Sequence, residues 1–283
     1  MAKKISLINM KGGVGKSTLA VNLAWQYAAY SNWRKNILVI DLDPQFNASQ
    51  YLLGATKYQK ILENNQPTIW NVFEQNTFVP GKEKLEEVTP DSVIYNVVNF
   101  RTGSRIDLIP SRLELAYSMK NPTQKESLLK KLIINNVEGK YDVILLDCAP
   151  TESVFTTAAY LSSDYILVPV KPEYLSTVGL PLLVRSLDEF RKGPYGGQDI
   201  SLAGIVFNQT TDYTPEERKS KLEVKKLAEK FGWYVFQSEV NYSRSYPKGA
   251  REGRAIFNTS YARSKPAQLF HAFAEELAKR ICL

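Results

Sequence analysis

Short apolar runs alternate along the chain with longer stretches in which apolar residues recur at helical spacing. Continuous runs of Ile, Val and Leu are typical of strands that are buried on both faces of a parallel sheet. They predict strands at residues 5–9, 37–41, 106–110, 143–147, 165–170, 202–208 and 233–238. The helical spacing predicts helices at residues 17–30, 124–137, 153–161, 180–190, 215–231 and 266–281. This alternation predicts an α/β fold with a mostly parallel, twisted sheet flanked by helices.

Two stretches lack this alternation. Residues 48–100 are rich in Asn and Gln and show no clear period, although short helices are expected near residues 58–63 and 69–74. We interpret this stretch as an insertion at the edge of the sheet that contacts a partner. Because no repeat or strong linker divides the chain, residues 1–283 are expected to form a single domain. Residues 239–265 form a basic segment with few apolar runs, and its cations are Arg244, Lys248, Arg251, Arg254, Arg263 and Lys265.

Composition narrows the classes of function. A net charge of +7 suits an anionic partner such as DNA or an acidic membrane surface, although many soluble proteins are mildly basic. Two cysteines, Cys148 and Cys282, and one histidine, His271, are too few for a disulfide framework or a zinc cluster. The N-terminal apolar run is too short for a secretory signal, and no stretch approaches the roughly 20 apolar residues of a membrane span. A cytoplasmic location is therefore expected.

A glycine-rich segment directly follows the first predicted strand and precedes the first predicted helix. Glycines let the backbone turn its amides toward an anion, and the N-terminus of the helix adds positive potential. The segment therefore predicts a phosphate-binding loop, in which Lys16 neutralises the β- and γ-phosphates, Ser17 binds Mg²⁺ and Thr18 lies near the α-phosphate. Met10 stands where the plain motif has a glycine. The nucleotide-binding residues of this loop are Lys11, Gly12, Gly13, Val14, Gly15, Lys16, Ser17 and Thr18.

Aspartates stand at the ends of two other predicted strands. Asp41 and Asp43 lie at the end of residues 37–41 and just beyond it, and Asp147 ends the strand at residues 143–147. In open α/β sheets, ligands bind beyond the carboxyl ends of the strands, so these carboxylates are expected on the same edge as the loop. We predict Asp147 and Asp43 as metal ligands with Ser17, and Asp43 as the residue that orients an attacking water. Each aspartate taken alone could instead cap a helix or form a turn.

These motifs resemble the ParA/MinD branch of the deviant Walker P-loop ATPases. The resemblance is carried by the loop at residues 11–18, by residues 41–45 with Asn47, and by residues 147–150. Residues 165–170, the pair Pro172-Glu173 and the pair Gly179-Leu180 look like the ParA side of that branch. The resemblance runs from residue 3 to about residue 190, and again through residues 204–208 and the C-terminal helix. Ala149 departs from the pattern at a position where the family usually has proline.

The resemblance implies ATP and Mg²⁺ as cofactors and an ATP-dependent homodimer that holds its nucleotides between the subunits. Lys11 would reach the phosphates bound by the partner subunit and act in catalysis with Lys16 and Asp43. Asn208 matches a position that often reads the adenine. The dimer would bind DNA without sequence preference, and a ParB-like or cargo-adaptor protein would stimulate its slow hydrolysis of ATP. The implied function is segregation of plasmid or chromosome DNA, in the cytoplasm and on the nucleoid.

The DNA contacts and the cargo stay open at this point. Arg244, Lys248, Arg251 and Arg254 are candidates for contacts with DNA phosphates, but a solvated loop explains these cations as well. A protein cargo would use the same ATPase cycle as a DNA cargo. A MinD-like membrane-associated ATPase needs a basic amphipathic tail, whereas residues 266–281 place acidic side chains opposite their apolar face and favour packing on the sheet. Iron-protein-like redox chemistry and a metabolic ligase are further alternatives, and no sequence feature favours either.

Overall fold

A mostly parallel sheet runs through the centre of the computed structural model, which describes residues 1–30, 32–75, 88–120, 122, 125–174, 176–194, 199–211 and 214–283. Its strands in chain order are Lys3–Leu7 (β1), Ile37–Leu42 (β2), Tyr95–Asn99 (β3), Arg105–Ile109 (β4), Val143–Cys148 (β5), Tyr165–Val170 (β6), Ser201–Thr210 (β7) and Val240–Asn241 (β8). They form an eight-stranded sheet in the order β3-β4-β2-β5-β1-β6-β7-β8. Only the β3–β4 pairing among the described strands is antiparallel.

Helices cover both faces of this sheet. They are Lys16–Ala29 (α1), Asn47–Leu53 (α2), Ala55–Glu63 (α3), Ile69–Glu74 (α4), Pro90–Val93 (α5), Leu115–Ser118 (α6), Leu128–Asn136 (α7), Val154–Ser162 (α8), Ser176–Lys192 (α9), Pro215–Lys230 (α10), Ser245–Glu252 (α11) and Ser264–Arg280 (α12). Side chains of a strand alternate between faces, so Val143 and Leu145 of β5 join the core under α1 and α12, whereas Ile144 and Leu146 join the core under α7, α8 and α9. This arrangement confirms the predicted fold class.

Residues 233–238 were wrongly predicted as a strand. Val235 makes only an isolated bridge to Ile205 of β7. The backbone amides of Gln237 and Ser238 donate to the carboxylate of Glu276 on α12, each at 2.8 Å. The Glu276 carboxylate therefore accepts the hydrogen bonds that these amides would otherwise donate to a neighbouring strand. The strand that does form is the two-residue β8, which follows this segment.

The stretch at residues 48–100 contains more regular structure than its sequence predicts. The expected short helices are present as α3 and α4, but α2, α5 and β3 were not expected. β3 pairs with β4 and forms one edge of the sheet. Residues 76–87 of this stretch, and residue 124 of the helix predicted at 124–137, lie outside the described residues.

The basic segment and the C-terminal helix pack against the same side of the sheet as α1. Within the segment, Ser245–Glu252 form α11, which packs on α2. The apolar face of α12 is buried, with Phe270, Phe273 and Leu277 all at 0% exposure. In the described part of the chain, no helix is both long enough and apolar enough to cross a membrane.

Candidate functional site

The loop between β1 and α1 adopts a backbone that requires glycine. Gly13 and Gly15 have φ angles of +74° and +87°, in the left-handed region that side chains with a Cβ rarely adopt. A Cβ atom at Gly15 would also lie 2.3 Å from Nδ2 of Asn208, so the Asn208 side chain would have to move and give up its hydrogen bond to Val14. The loop therefore depends on the glycines that the sequence motif contains.

Side chains from the end of β7 hold this loop in place. The Nδ2 atom of Asn208 donates to the carbonyl oxygen of Val14 at 2.7 Å, and Nε2 of Gln209 donates to the carbonyl oxygen of Gly13 at 3.1 Å. Gln209 has a φ of +58°, which turns it toward the loop. The sequence pointed to Asn208 only, through the resemblance, and gave no signal for Gln209.

Strand order brings the predicted acidic residues to the loop. β5 lies between β1 and β2, with Asp147 opposite Leu7 on one side and opposite Asp41 on the other. Because all three strands are parallel, their carboxyl ends meet at one edge, where the loop begins. Asp41, Asp43 and Asp147 are therefore found on the same edge of the sheet as the glycine loop, as the sequence predicts.

A cavity of about 420 Å³ opens at this edge. It joins the loop to the turn after β2, the end of β7 and helix α11. Of the residues predicted to bind nucleotide, Val14, Lys11 and Asn208 do not line it, and neither does Asp147, which was predicted as a metal ligand. The described lining consists of Gly12, Gly13, Gly15, Lys16, Ser17, Thr18, Asp43, Gln45, Asn47, Gln50, Tyr51, Pro150, Gln209 and Ala250.

Lys16 is buried at the base of this cavity. Its Nζ atom donates to the carbonyl oxygens of Asn9 at 3.1 Å and Lys11 at 3.2 Å. Burial lowers the pKa of the Lys16 ammonium, and the carboxylates of Asp147 and Asp43 oppose that shift. An ammonium that donates to carbonyl oxygens beside a glycine loop can donate instead to the oxygens of a bound anion.

Asp147 is fully buried, and neither of its carboxylate oxygens accepts a hydrogen bond of good geometry within the described structure, although the Ser17 hydroxyl and the charge of Lys16 act to lower its pKa. Burial and the charge of Asp41 raise the pKa of Asp147 well above its usual range. Burial also raises the pKa of Asp41 to about 7, although Ser49 and the amide of Asp43 donate hydrogen bonds to it. A buried carboxylate without hydrogen bonds of good geometry is costly, so Asp147 fits a role beside a cation.

Asp43 lines the cavity on the turn that follows β2. Its Oδ1 atom accepts a hydrogen bond from the amide of Gln45 at 2.9 Å, which fixes the carboxylate within the turn. No group of three or more His, Cys, Asp and Glu side chains in the described ranges is arranged to hold a metal by itself. A magnesium ion here would take its ligands from Ser17, one or two aspartates and phosphate oxygens, which is the usual pattern for this ion.

Lys11 points away from the cavity. Its Nζ atom lies 3.1 Å from Oε2 of Glu173, on the loop between β6 and α9, and Lys171 also pairs with that carboxylate. Hydrogen bonds from Lys171 and Lys11 lower the pKa of Glu173. The two lysines of the loop motif therefore have different surroundings, since Lys16 faces the cavity and Lys11 faces the surface of its own subunit.

The predicted DNA-binding cations lie on α11 and its flanks. Arg244, Arg251 and Arg254 are exposed, and Lys248 is partly exposed with its Nζ atom 3.4 Å from Oε1 of Glu252. The helix brings them near the cavity, because Ala250 of the same helix lines it. Lys248 and Arg251 therefore lie on α11 itself, and Arg244 and Arg254 lie on the residues that flank it.

The chain is similar to known proteins over its whole length. A family model described as an AAA domain matches residues 2–196. An uncharacterised protein of Methanocaldococcus jannaschii is 31% identical over 96% of this chain and 95% of its own. The chromosome-partitioning ATPase Soj of Treponema pallidum is 28% identical over 99% of this chain and 98% of its own. The structure of a Cyanothece McdA–ATP complex shares the fold, with a TM-score of 0.78 at 18% identity over 100% of this chain and 97% of that chain.

Proposed function

The chain belongs to the AAA domain family, on its branch of ParA-type P-loop ATPases, and we propose that it is a partition ATPase that binds DNA in its ATP state. In this cycle ATP joins two copies of the chain, the dimer binds DNA without sequence preference, and a partner protein stimulates hydrolysis. The observation that best supports this function is the cavity that groups Lys16, Ser17 and Asp43, with a second lysine, Lys11, in the same loop. The relationship to Soj of Treponema pallidum, a chromosome-partitioning ATPase, supports DNA as the cargo.

The glycine loop and Lys16 bind the phosphates of ATP. The cavity volume of about 420 Å³ lies within the usual range for small-molecule sites. Lys16 gives up its contacts to the carbonyl oxygens of Asn9 and Lys11 and donates to the β- and γ-phosphates. Thr18, in the first turn of α1, is placed near the α-phosphate.

Ser17, Asp147 and Asp43 fit the requirements of a magnesium site. The buried carboxylate of Asp147 accepts no hydrogen bond of good geometry from the described residues, so a cation nearby offsets the cost of its ionisation. Magnesium supplies charge neutralisation on the transferred phosphoryl group when it is bound. Asp43, held by the amide of Gln45, positions the attacking water and accepts its proton.

Lys11 completes the site of the partner subunit in a symmetric dimer. The ammonium leaves Glu173 and stabilises the charge that develops on the partner's γ-phosphate. Asn208 holds the loop through Val14 and lies at the end of β7, from which we propose that it also approaches the adenine. Dimerisation and catalysis are thereby linked through the same lysine.

Helix α11 and its flanks provide the contact with DNA. Arg244, Lys248, Arg251 and Arg254 bind backbone phosphates, so affinity depends strongly on salt and little on sequence. A ParB-like or cargo-adaptor protein stimulates hydrolysis and releases the dimer from the nucleoid. Membrane attachment through the C-terminal helix is not favoured, because Phe270 and Phe273 of its apolar face are buried in the core.

Sedimentation and turnover with ATP test the nucleotide switch. The wild-type chain should form dimers with ATP and Mg²⁺ and should be monomeric with ADP. Lys11→Ala should still bind ATP but lose dimerisation or turnover, while Lys131→Ala, which removes an exposed cation from α7, should behave as wild type. Wild-type dimerisation and turnover by Lys11→Ala would contradict the role of Lys11.

A further inference from the structure

Helix α11 lies directly on a tyrosine that lines the nucleotide cavity. Tyr51 of α2 is 4% exposed and forms part of the cavity wall. A Cβ atom at Gly249 of α11 would lie 2.5 Å from the Tyr51 hydroxyl and 2.6 Å from the carbonyl oxygen of Arg254. Only a residue without a side chain allows this approach, so α11 and Tyr51 are packed as closely as their atoms permit.

One buried side chain connects this contact to the phosphate loop. Asn22 of α1 is 0% exposed. Its Nδ2 atom donates to the carbonyl oxygen of Thr18 at 2.8 Å and to the hydroxyl of Tyr51 at 3.2 Å. Its Oδ1 atom accepts a hydrogen bond from the amide of Ile256, just beyond α11, at 2.9 Å. Both polar atoms of Asn22 are therefore used, and they join three separate elements.

The three contacts of Asn22 lie between the place where phosphate is expected and the helix that carries the cations. Thr18 is in the first turn of the helix that follows the loop, and Ala250 of α11 lines the cavity from the opposite side. Gly253, with a φ of +63°, ends α11 and lies close to the backbone of Tyr51. Tyr51 and Ala250 line the cavity directly, and the hydrogen bonds of Asn22 add a buried connection from the first turn of α1 to the backbone just beyond α11.

We propose that Asn22, acting through Tyr51 and Ile256, is a positioning residue that makes the placement of helix α11 depend on the nucleotide in the cavity. The effect on DNA binding rests on the proposed function above, but the effect on α11 itself does not. Without the hydrogen bonds of Asn22, ATP still binds to the loop. Helix α11 then takes the same position whether or not ATP is bound. The cations on α11 then have the same affinity for phosphate in both nucleotide states.

Hydrogen exchange of the full chain, with and without a slowly hydrolysed ATP analogue and Mg²⁺, tests this link. In the wild type the analogue should slow exchange both in the phosphate loop and in residues 245–256. In Asn22→Ala the slowing in residues 245–256 should be lost while the loop remains protected. Tyr51→Phe removes only the hydroxyl and should reduce the difference at α11 by about fivefold, which keeps the test open if Asn22→Ala does not fold.

Tyr27→Phe is the matched control. Tyr27 lies on the same helix as Asn22, is fully buried, and donates through its hydroxyl to the carbonyl oxygen of Ala274 on α12 at 2.9 Å. Its loss removes an equal buried hydrogen bond, so exchange should rise equally in both nucleotide states and the response of α11 to the analogue should persist. A merely structural role of Asn22 would give that same result.

The outcomes separate this inference from the proposed function. Protection of α11 that persists in both Asn22→Ala and Tyr51→Phe, or is absent from the wild type, would overturn the inference even if the wild type binds DNA. Protection that is present in the wild type and lost in the variants would support the inference, even if the protein binds no DNA. The absence of DNA binding would contradict the proposed function and not the inference.

Discussion

The ammonium of Lys11 and the carboxylate of Glu173 are held together within one subunit, with Nζ 3.1 Å from Oε2. In the proposed cycle this ion pair has to open before Lys11 can reach a partner subunit. Glu173 is 45% exposed and also pairs with Lys171, so the pair is expected to restrain Lys11 only weakly. In that cycle, the contact between Lys11 and Glu173 would oppose dimerisation.

Glu173→Gln should promote the ATP-dependent dimer. The substitution keeps the size of the side chain but removes its charge, so Lys11 is released at lower cost and the dimer should form at a protein concentration up to about fivefold lower. Sedimentation with ATP at several protein concentrations measures this shift. Glu189→Gln removes a carboxylate that pairs with Arg185 on the surface of α9, and it should leave the dimer unchanged. Weaker dimerisation by Glu173→Gln would show that Glu173 belongs to the dimer instead.

Lys16→Ala should abolish binding of ATP. Lys16 is buried at the base of the cavity, and in the proposed site it neutralises the phosphates. At a ligand concentration of 100 times Kd, ATP should stabilise the wild-type chain by about 2.7 kcal/mol, which thermal unfolding detects as a rise in Tm. The variant should show no rise. A preserved rise in Tm would remove Lys16 from the phosphate site.

Asp43→Ala should trap an ATP-bound dimer. Without the carboxylate, the proposed site loses the group that orients the water and accepts its proton, and hydrolysis should fall by about 10²-fold or more. ATP turnover together with the lifetime of the dimer measures both effects. Asp91→Ala removes a carboxylate that is 88% exposed and distant in sequence from Asp43, and its turnover and dimer lifetime should match those of the wild type. Normal turnover by Asp43→Ala would exclude this aspartate from the mechanism.

Glu276→Gln should destabilise the fold in a way that depends on pH. Burial acts to raise the pKa of Glu276, but hydrogen bonds from the amide of Gln237, the hydroxyl of Tyr234 and the amide of Ser238 outweigh it and lower the pKa. An acid with a lowered pKa stabilises the fold above its unfolded pKa, about 4.3 for Glu, and loses that contribution as pH falls through the folded value.

Unfolding in denaturant at neutral pH should therefore show a loss of about 1–3 kcal/mol in Glu276→Gln. The difference from wild type should shrink as the pH is lowered below about 4.3. Glu275→Gln alters the neighbouring carboxylate, which is 44% exposed at its side chain, and should have a smaller effect. An equal loss in both variants, or one that does not change with pH, would contradict the role of Glu276 in holding residues 237–238.

The sequence predicts the phosphate side of the site better than the rest. Glycine at positive φ, as at Gly13 and Gly15, has few substitutes, so the motif itself specifies the loop. Asp43 and Asp147 could be placed because the ends of parallel strands share one edge of a sheet. The order of β1, β5 and β2, which sets Asp147 opposite both Leu7 and Asp41, follows from packing across the sheet and has no local signal.

Other features could not be predicted from the sequence because contacts between distant residues override the local sequence pattern. Residues 233–238 have the composition of a strand, but Glu276 on another element binds their amides. Helix α11 contains Pro247 and Gly249, which disfavour a helix locally, yet Gly249 is what allows close packing on Tyr51. Gln209 reaches the loop only because its backbone has a positive φ. None of these features has a signature in a window of neighbouring residues.

Binding of random-sequence duplex DNA is the sharpest test of the proposal that the chain binds DNA in its ATP state. The full chain is titrated with DNA in the presence of ATP, of ADP and of no nucleotide, each at two salt concentrations, with Lys16→Ala as the control that cannot use ATP. We expect binding with ATP only and none by Lys16→Ala. The logarithm of the affinity should fall with the logarithm of salt concentration, with a slope of about 0.9 for each phosphate contact. Equal binding in all nucleotide states, or no binding by a chain that hydrolyses ATP, would contradict this proposal.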